Sequence, residues 1–350
     1  MKPTLLAGDL MPGFKFADAA GAPVELSGAA LAGRPMALCV VADPSAAAAE
    51  LEGFRDMAPA FADAGVGLLA VIRAGVAPPD GLESLTDALG TLLQILELDA
   101  AAPCKTVVLR ANLHVADVLD GPGQADRALA LARQHETAPA VITRQAPVLL
   151  VDEVIPPAFC DRMMALWDTG AKAEDVIGTA GGAAVKRATK KRTDHAIADP
   201  QIAQQLQFYF GRRLLPELAK AFQFRTLSTE SFRIGCYDAA DGGGYFRPHR
   251  DISEQIQRRR YAVSVNLNTG EFDGGQVRFP EFGPQLYLPS RGGALVFSCS
   301  LLHEALPVTR GRRFVLLDFF SGEQMPEGCP WQRLGDSMWH SLEPGFPDAV

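Results

Sequence analysis

His249-Arg250-Asp251 is the first place in this 350-residue chain where residue type and spacing could do chemistry. Alternate residues of a strand point to one face, so an imidazole and a carboxylate two positions apart can converge on one ion. Alone the pair says little. Six histidines and 41 acidic residues in 350 positions leave about 0.7 such pairs to chance, and a surface histidine beside an aspartate satisfies the pattern equally. Residues further downstream strengthen it. Gly292-Gly-Ala-Leu-Val-Phe-Ser-Cys-Ser-Leu-Leu-His303 reads as a strand ending in histidine, and Arg313 stands just before the apolar run Phe314-Val-Leu-Leu-Asp-Phe-Phe320. Two histidines and one carboxylate on one side of a metal leave three positions open, a set suited to non-haem Fe(II) and O2. An arginine deep in the same domain can grip a carboxylate bidentately.

Such residues need a scaffold, and from Glu230 to about Phe320 the text is short strands separated by Gly, Pro, Asn and Asp turns, as in a β-sandwich or jelly roll. Ahead of it lie a strand over Val148–Val151, a helix carrying Phe159, Met163 and Trp167, a glycine- and Lys/Arg-rich loop over 178–192, and a helix from Pro200 to about Arg213. The first 135 residues differ in texture. Met36 to Val41 and Val66 to Ile72 are continuous apolar runs, as in central strands covered on both faces. Ala46–Ala64, Leu85–Leu98 and Gly123–His135 read as helices, and Lys105–Arg110 and Leu113–Val118 as two strands joined by a turn, which together indicate an α/β layer fold. The proline-bearing stretch 136–147 marks the boundary. Net charge agrees: the −8 of the whole chain lies entirely in residues 1–140, while residues 141–350 balance to zero. Neither half is basic enough for a dedicated nucleic-acid binder. No run reaches the ~18 apolar residues of a membrane span, and Asp9 comes too early for a signal core. Six scattered cysteines without a close pair read as reduced thiols in the cytoplasm.

Residues about 145–322 resemble the 2-oxoglutarate- and Fe(II)-dependent oxygenases of the prolyl-4-hydroxylase-like branch. The resemblance is carried by Cys236-Tyr-Asp-Ala-Ala-Asp-Gly-Gly-Gly-Tyr-Phe-Arg-Pro-His-Arg-Asp251, Gly274-Gly-Gln-Val-Arg-Phe-Pro280, Pro289-Ser-Arg-Gly-Gly-Ala-Leu-Val-Phe297 and His303-Glu-Ala-Leu-Pro-Val-Thr-Arg-Gly-Arg-Arg313. It implies a double-stranded β-helix with flanking helices, with iron on His249, Asp251 and His303. It also implies 2-oxoglutarate as cosubstrate with its distal carboxylate on Arg313, O2 as oxidant and ascorbate as accessory reductant. Arg312 competes for the carboxylate, and since strand neighbours face opposite ways only one of the two can point inward. Tyr237 matches a tyrosine that hydrogen-bonds the cosubstrate in relatives, and Asn266 stands where relatives often carry another. The implied reaction is hydroxylation of an unactivated C–H bond with release of succinate and CO2. The substrate is a protein or peptide residue, prolyl or similar; a small metabolite is the alternative, and nothing in the chain separates the two. A nucleic-acid demethylase of the superfamily would show a second arginine six residues after Arg313, where Phe319 stands.

Residues about 4–135 resemble the peroxiredoxin (thioredoxin-like) family through Leu6-Ala-Gly-Asp-Leu-Met-Pro-Gly-Phe-Lys-Phe16, Leu31-Ala-Gly-Arg-Pro-Met-Ala-Leu38 and Phe54-Arg-Asp-Met-Ala-Pro-Ala-Phe61. The family's peroxidatic cysteine would fall near Ala47, and a methyl group cannot replace a thiolate. The resulting domain plan is a redox-inactive thioredoxin-like domain over 1–140, an oxygenase domain over 145–325 and a tail or cap over 326–350 with Trp331 and Trp339. The first domain is left with packing, homodimerisation or partner docking. A binding scaffold with a decayed redox domain is the non-enzymatic rival; it suits the first half but not an intact His-Asp-His set. Cys236 and Cys299 read as core residues, His195 as structural or exposed, and the basic runs at 186–192 and 258–260 as solvated faces, with a rim attracting an acidic substrate as the alternative.

Overall fold

A computed structural model describes residues 4–28, 31, 33–98, 102–134, 141–174, 177–179, 182–184, 188–252 and 258–324. Those up to 134 and those from 141 onward form two compact units. The expected tail over 326–350, Lys186, Arg187, His135 and His340 lie outside the described residues.

The first unit is a seven-stranded mixed sheet built from β1 (Phe16–Ala17), β2 (Pro23–Val24), β3 (Met36–Val41), β4 (Gly67–Arg73), β5 (Ser84–Asp87), β6 (Cys104–Leu109) and β7 (Val115–Leu119), in the order β2-β1-β5-β4-β3-β6-β7. Central β3 is buried along its whole length, as its unbroken apolar run requires, and pairs parallel with β4 and antiparallel with β6. Helices α1 (Ala48–Asp63) and α3 (Gln124–Arg133) cover one face through Leu51, Phe54, Phe61, Ala128 and Leu129. The helix expected over Leu85–Leu98 is corrected: Leu85 lies in β5, and only Thr91–Ile95 (α2) is helical. Asp87 causes the break. Its buried carboxylate accepts the backbone N–H groups of Thr91, Leu92 and Leu93, capping a helix that starts after Gly90 in the left-handed region.

In the second unit, β8 (Val148–Val151) and α4 (Pro157–Thr169) are followed by β9 (Ala173–Glu174) and the hairpin β10 (Ile177–Thr179) and β11 (Gly182–Ala184). Next come β12 (Lys190–Lys191), β13 (Thr193–Ala196) and α5 (Pro200–Tyr209), which Asp199 caps through the Gln201 N–H. The helical stretch does not stop at Arg213. It runs through a π-turn (Phe210–Leu214) into α6 (Leu215–Phe222), because buried Arg212 and Arg213 lie over the rings of Phe208 and Tyr209 rather than in solvent. Antiparallel strands then follow: β14 (Phe224–Thr229), β15 (Arg233–Asp238), β16 (Tyr245–His249), β17 (Tyr261–Asn266), β18 (Asp273–Gly274), β19 (Val277–Arg278), β20 (Leu286–Tyr287), β21 (Ala294–Ser298), β22 (His303–Ala305), β23 (Val308–Arg310) and β24 (Arg312–Gln324).

These strands make a large sheet, β8-β21-β17-β24-β15-β13-β9 with β14 also on β24, and a smaller one, β12-β16-β22-β19-β20. The thirteen-residue β24 holds the large sheet together, pairing with β14, β15 and β17. Its alternation sorts the unit into layers. Phe314, Leu316 and Phe320 pack with Phe159, Trp167, Leu206 and Phe210 of the helices, while Val315 and Leu317 face Ala305 and Phe246 of the smaller sheet.

Candidate metal centre and anion site

A register shift that spans Pro248 shapes the face that carries the candidate metal ligands. Proline cannot donate to a ladder, and strands tolerate it at bulges. Between β16 and β22 the register runs Phe246↔Ala305 and then His249↔His303, so β16 carries one extra residue there. The slip sets the two histidines opposite each other, ring centroids 4.2 Å apart, and stacks Phe246 on His249. Asp251 comes just after the strand and is tied down by its N–H to the Cys299 carbonyl at 3.0 Å.

Each imidazole is oriented from behind. Nδ1 of His249 lies 2.8 Å from the Arg247 carbonyl and Nδ1 of His303 3.0 Å from that of Leu301. Each Nδ1–H donates there, a tautomer assigned from its partner, which leaves both Nε2 lone pairs facing inward. Those Nε2 atoms lie 3.5 and 3.4 Å from the two Asp251 oxygens, and one ligand atom from each residue falls within 4.8 Å of the others. Three electron-pair donors facing one another repel unless a cation lies among them, so the set fits a divalent metal. Burial among Phe297, Phe279 and its neighbours lowers the His303 pKa despite the Asp251 carboxylate, favouring the neutral, ligating form. Burial pushes the Asp251 carboxyl up, but the positive charges that can face it, on His303 and His249 when these are protonated and on Arg259, outweigh burial and hold it at about 2.

The second part of the site is a row of side chains across the large sheet. Tyr237 and Arg313 are cross-strand partners on β15 and β24, and cross-strand partners share a face. Arg313 is 2% exposed, its guanidinium carbon 5.4 Å from the Tyr237 ring centre. Its Nη2 and Nε donate to Asn266 Oδ1 at 2.9 and 3.3 Å. Burial draws its pKa down to about 10, so it remains cationic at neutral pH. Gly275, at φ 70°, makes room: a Cβ there would stand 2.9 Å from Arg313 Cδ. Arg312 points the other way, exposed, 3.5 Å from Asp168.

Asn266 differs from the expected cosubstrate donor. Its amide group donates to Thr269 Oγ1 and the Pro289 carbonyl, so its part in the site is to hold the arginine. The solvated reading of the basic loop is corrected as well. Lys190 is 8% exposed with its ammonium 4.5 Å from the Phe246 ring centre, and burial together with Arg192 lowers its pKa to about 6. Arg192 is bound by both oxygens of Asp194. Sequence reasoning missed this pair because burial came from strands 45 residues away for Arg192 and 56 for Lys190. The one local signal was the Lys-x-Arg-x-Asp alternation, which puts Lys190, Arg192 and Asp194 on one face. Of the other basic run, Arg258 and Arg260 are exposed, whereas Arg259 lies 3.6 Å from the Phe319 ring centre and pairs bidentately with Glu230. His195 is structural, its Nδ1 on the Ala171 carbonyl at 2.8 Å. Cys236 and Cys299 are buried, as expected of core residues.

No family model matches the chain, and no curated protein does. Among solved structures it is similar to a viral collagen prolyl hydroxylase from Paramecium Bursaria Chlorella virus-1, at 15% identity over 50% of this chain and 96% of that one, TM-score 0.37. It is also similar to a prolyl-4-hydroxylase from Pseudomonas putida, at 18% identity over 52% and 94%, TM-score 0.34. A peroxidoxin from Mycobacterium tuberculosis matches at 23% identity over 38% and 99%, TM-score 0.31. Among the described residues, no helix is long and apolar enough to cross a membrane.

Proposed function

We propose that the second unit is an Fe(II)- and 2-oxoglutarate-dependent oxygenase that hydroxylates an unactivated C–H bond, with a prolyl or similar residue of a protein or peptide as substrate. The observation that carries the reading is the convergence of His249, Asp251 and His303 in the unit that also buries Arg313 beside Tyr237. A metal on this trio supplies O2 activation coupled to oxidative decarboxylation of the keto acid. The protein's own part is positional. The Arg247 and Leu301 carbonyls fix the imidazoles, and Arg313 offers a buried cation to a dicarboxylate's far end while Asn266 fixes its plane. Phe246, Phe297 and Leu317 keep the surroundings apolar. The peptide substrate is carried over from the family branch that the sequence resembles, with a small metabolite as the alternative.

The first unit we read as a thioredoxin-like domain without redox function. Ala47, at the entrance to α1, is buried and cannot ionise, while burial raises the thiol of Cys39 and lifts that of Cys104 to about 11. The test of the oxygenase reading is 2-oxoglutarate decarboxylation by the purified Fe(II)-loaded chain without substrate, then a screen for a gain of about 16 daltons, one oxygen atom. His249→Ala and His303→Ala should each abolish turnover and Fe(II) retention; unchanged turnover in either sinks the assignment.

A further inference from the structure

We propose that Arg192 is a positioning residue for the cosubstrate, acting through Tyr237; the inference rests on the oxygenase reading above. Arg192 directly precedes β13, whose Thr193 pairs with Cys236, so it falls beside Tyr237 on the inner face. Its Nη1 donates to the Tyr237 hydroxyl oxygen at 3.2 Å, and its guanidinium carbon lies 5.6 Å from that ring's centre. Asp194 holds the guanidinium from the other side, through Nε at 2.6 Å and Nη2 at 2.7 Å. Arginine and aspartate side chains are 7% and 12% exposed.

The arrangement has a chemical consequence. A phenolic hydroxyl carries one hydrogen and can also accept. With an Arg192 N–H on its oxygen, Tyr237 meets the arginine as an acceptor, and its own hydrogen is left for another partner. Arg313 stands next in the row, and an anion bound to Arg313 brings acceptor oxygens to the same face. Arg192 thus sets the tyrosine to donate to a carboxylate rather than to accept from the arginine that binds it. The backbone is shaped for this. Gly235 lies under the pair, where a Cβ would stand 2.9 Å from Arg192 Cδ and 3.1 Å from Asp194 Oδ1. Any larger residue there displaces the clamp.

The test is direct binding of 2-oxoglutarate to Mn(II)-loaded full-length protein by calorimetry, with no turnover required. Arg192→Lys keeps a cation opposite Asp194, but a single ammonium cannot reproduce the two-toothed grip together with the phenol contact. It should weaken binding several-fold with the melting temperature little changed. Tyr237→Phe should weaken it about tenfold, the scale of one charge-assisted hydrogen bond. If Arg192 acts through the hydroxyl, the double variant binds like Tyr237→Phe alone. Two effects that multiply, or an Arg192→Lys protein that binds like the parent, overturn the inference while leaving the oxygenase reading intact. A parent that binds no 2-oxoglutarate overturns the oxygenase reading itself, and this inference with it.

Discussion

Replacing Arg313 by alanine tests the proposed anion site directly. The guanidinium is 2% exposed and oriented by Asn266, so a bound carboxylate would meet a dry, fixed cation. Each charge-assisted hydrogen bond of this kind contributes about 1.5–3 kcal/mol, and a bidentate pair about twice that. Part of the loss is offset, because the alanine leaves a space that water can enter. A net loss of about 1.4–2.8 kcal/mol corresponds to a 10- to 100-fold rise in the KM for 2-oxoglutarate. The assay is substrate-free decarboxylation against 2-oxoglutarate concentration, with Fe(II) retention measured alongside to show that the metal site survives. Arg312→Ala is the control. That side chain lies on the outer face over Trp167 and Phe314, near Asp168, and exposed pairs of this kind are worth about 0–1 kcal/mol, so KM should barely move. Reversed effects would show that Arg312 carries the carboxylate and would refute the assignment of inner and outer faces on β24.

Buried groups elsewhere in the chain lead to two further outcomes. Asp318 accepts the N–H groups of Glu230 and Phe319 on one oxygen, while the other has no partner. Burial raises its pKa to about 6, so the folded state holds this proton more tightly than the unfolded state, and stability falls as pH rises from about 4 to 6. Asp318→Asn should remove a contribution on the order of 3 kcal/mol from that pH dependence, read as melting temperature from pH 4 to 8; an identical slope in both proteins refutes it. Full-length protein should show no hydrogen peroxide consumption with dithiothreitol beyond the free-thiol background. Turnover that disappears in a Cys39→Ser, Cys104→Ser double variant would overturn the inert reading of the first unit.

Local features were the legible ones in the sequence. An unbroken apolar run such as Met36–Val41 admits few readings, and the His-x-Asp spacing on a strand already brings two ligands to one side. Alternation alone separates Arg312 from Arg313, and the structure exposes one and buries the other. Pairing partners were not legible. The bulge at Pro248 that aligns His249 with His303, and the burial of Lys190 and Arg192 against β15 and β16, depend on which strands meet, and residue order is silent on that. Asn266 fell between the two cases: its position in the site could be read, but its role as holder of Arg313 depends on Thr269 and Pro289 closing over its amide. Leu85–Leu98 misled because its apolar spacing is helical while Asp87 and Gly90 divide it.

The place of β24 in the chain has a consequence for biosynthesis. It pairs with β14, β15 and β17, whose residues leave the ribosome well before it does; Phe224 meets Gln324 across 100 positions. Until residues 312–324 emerge, β15 and β17 have no partner on the sides that β24 occupies, and Tyr237 and Asn266 wait for the arginine that joins them. Late, long-range pairing of this kind is slow and leaves strand edges exposed to other chains. The first unit draws its sheet from residues before 134 and is free of that delay. A nascent chain therefore carries a completed sheet ahead of an open one, and a stop codon anywhere before β24 would release the second unit with its central gap unfilled.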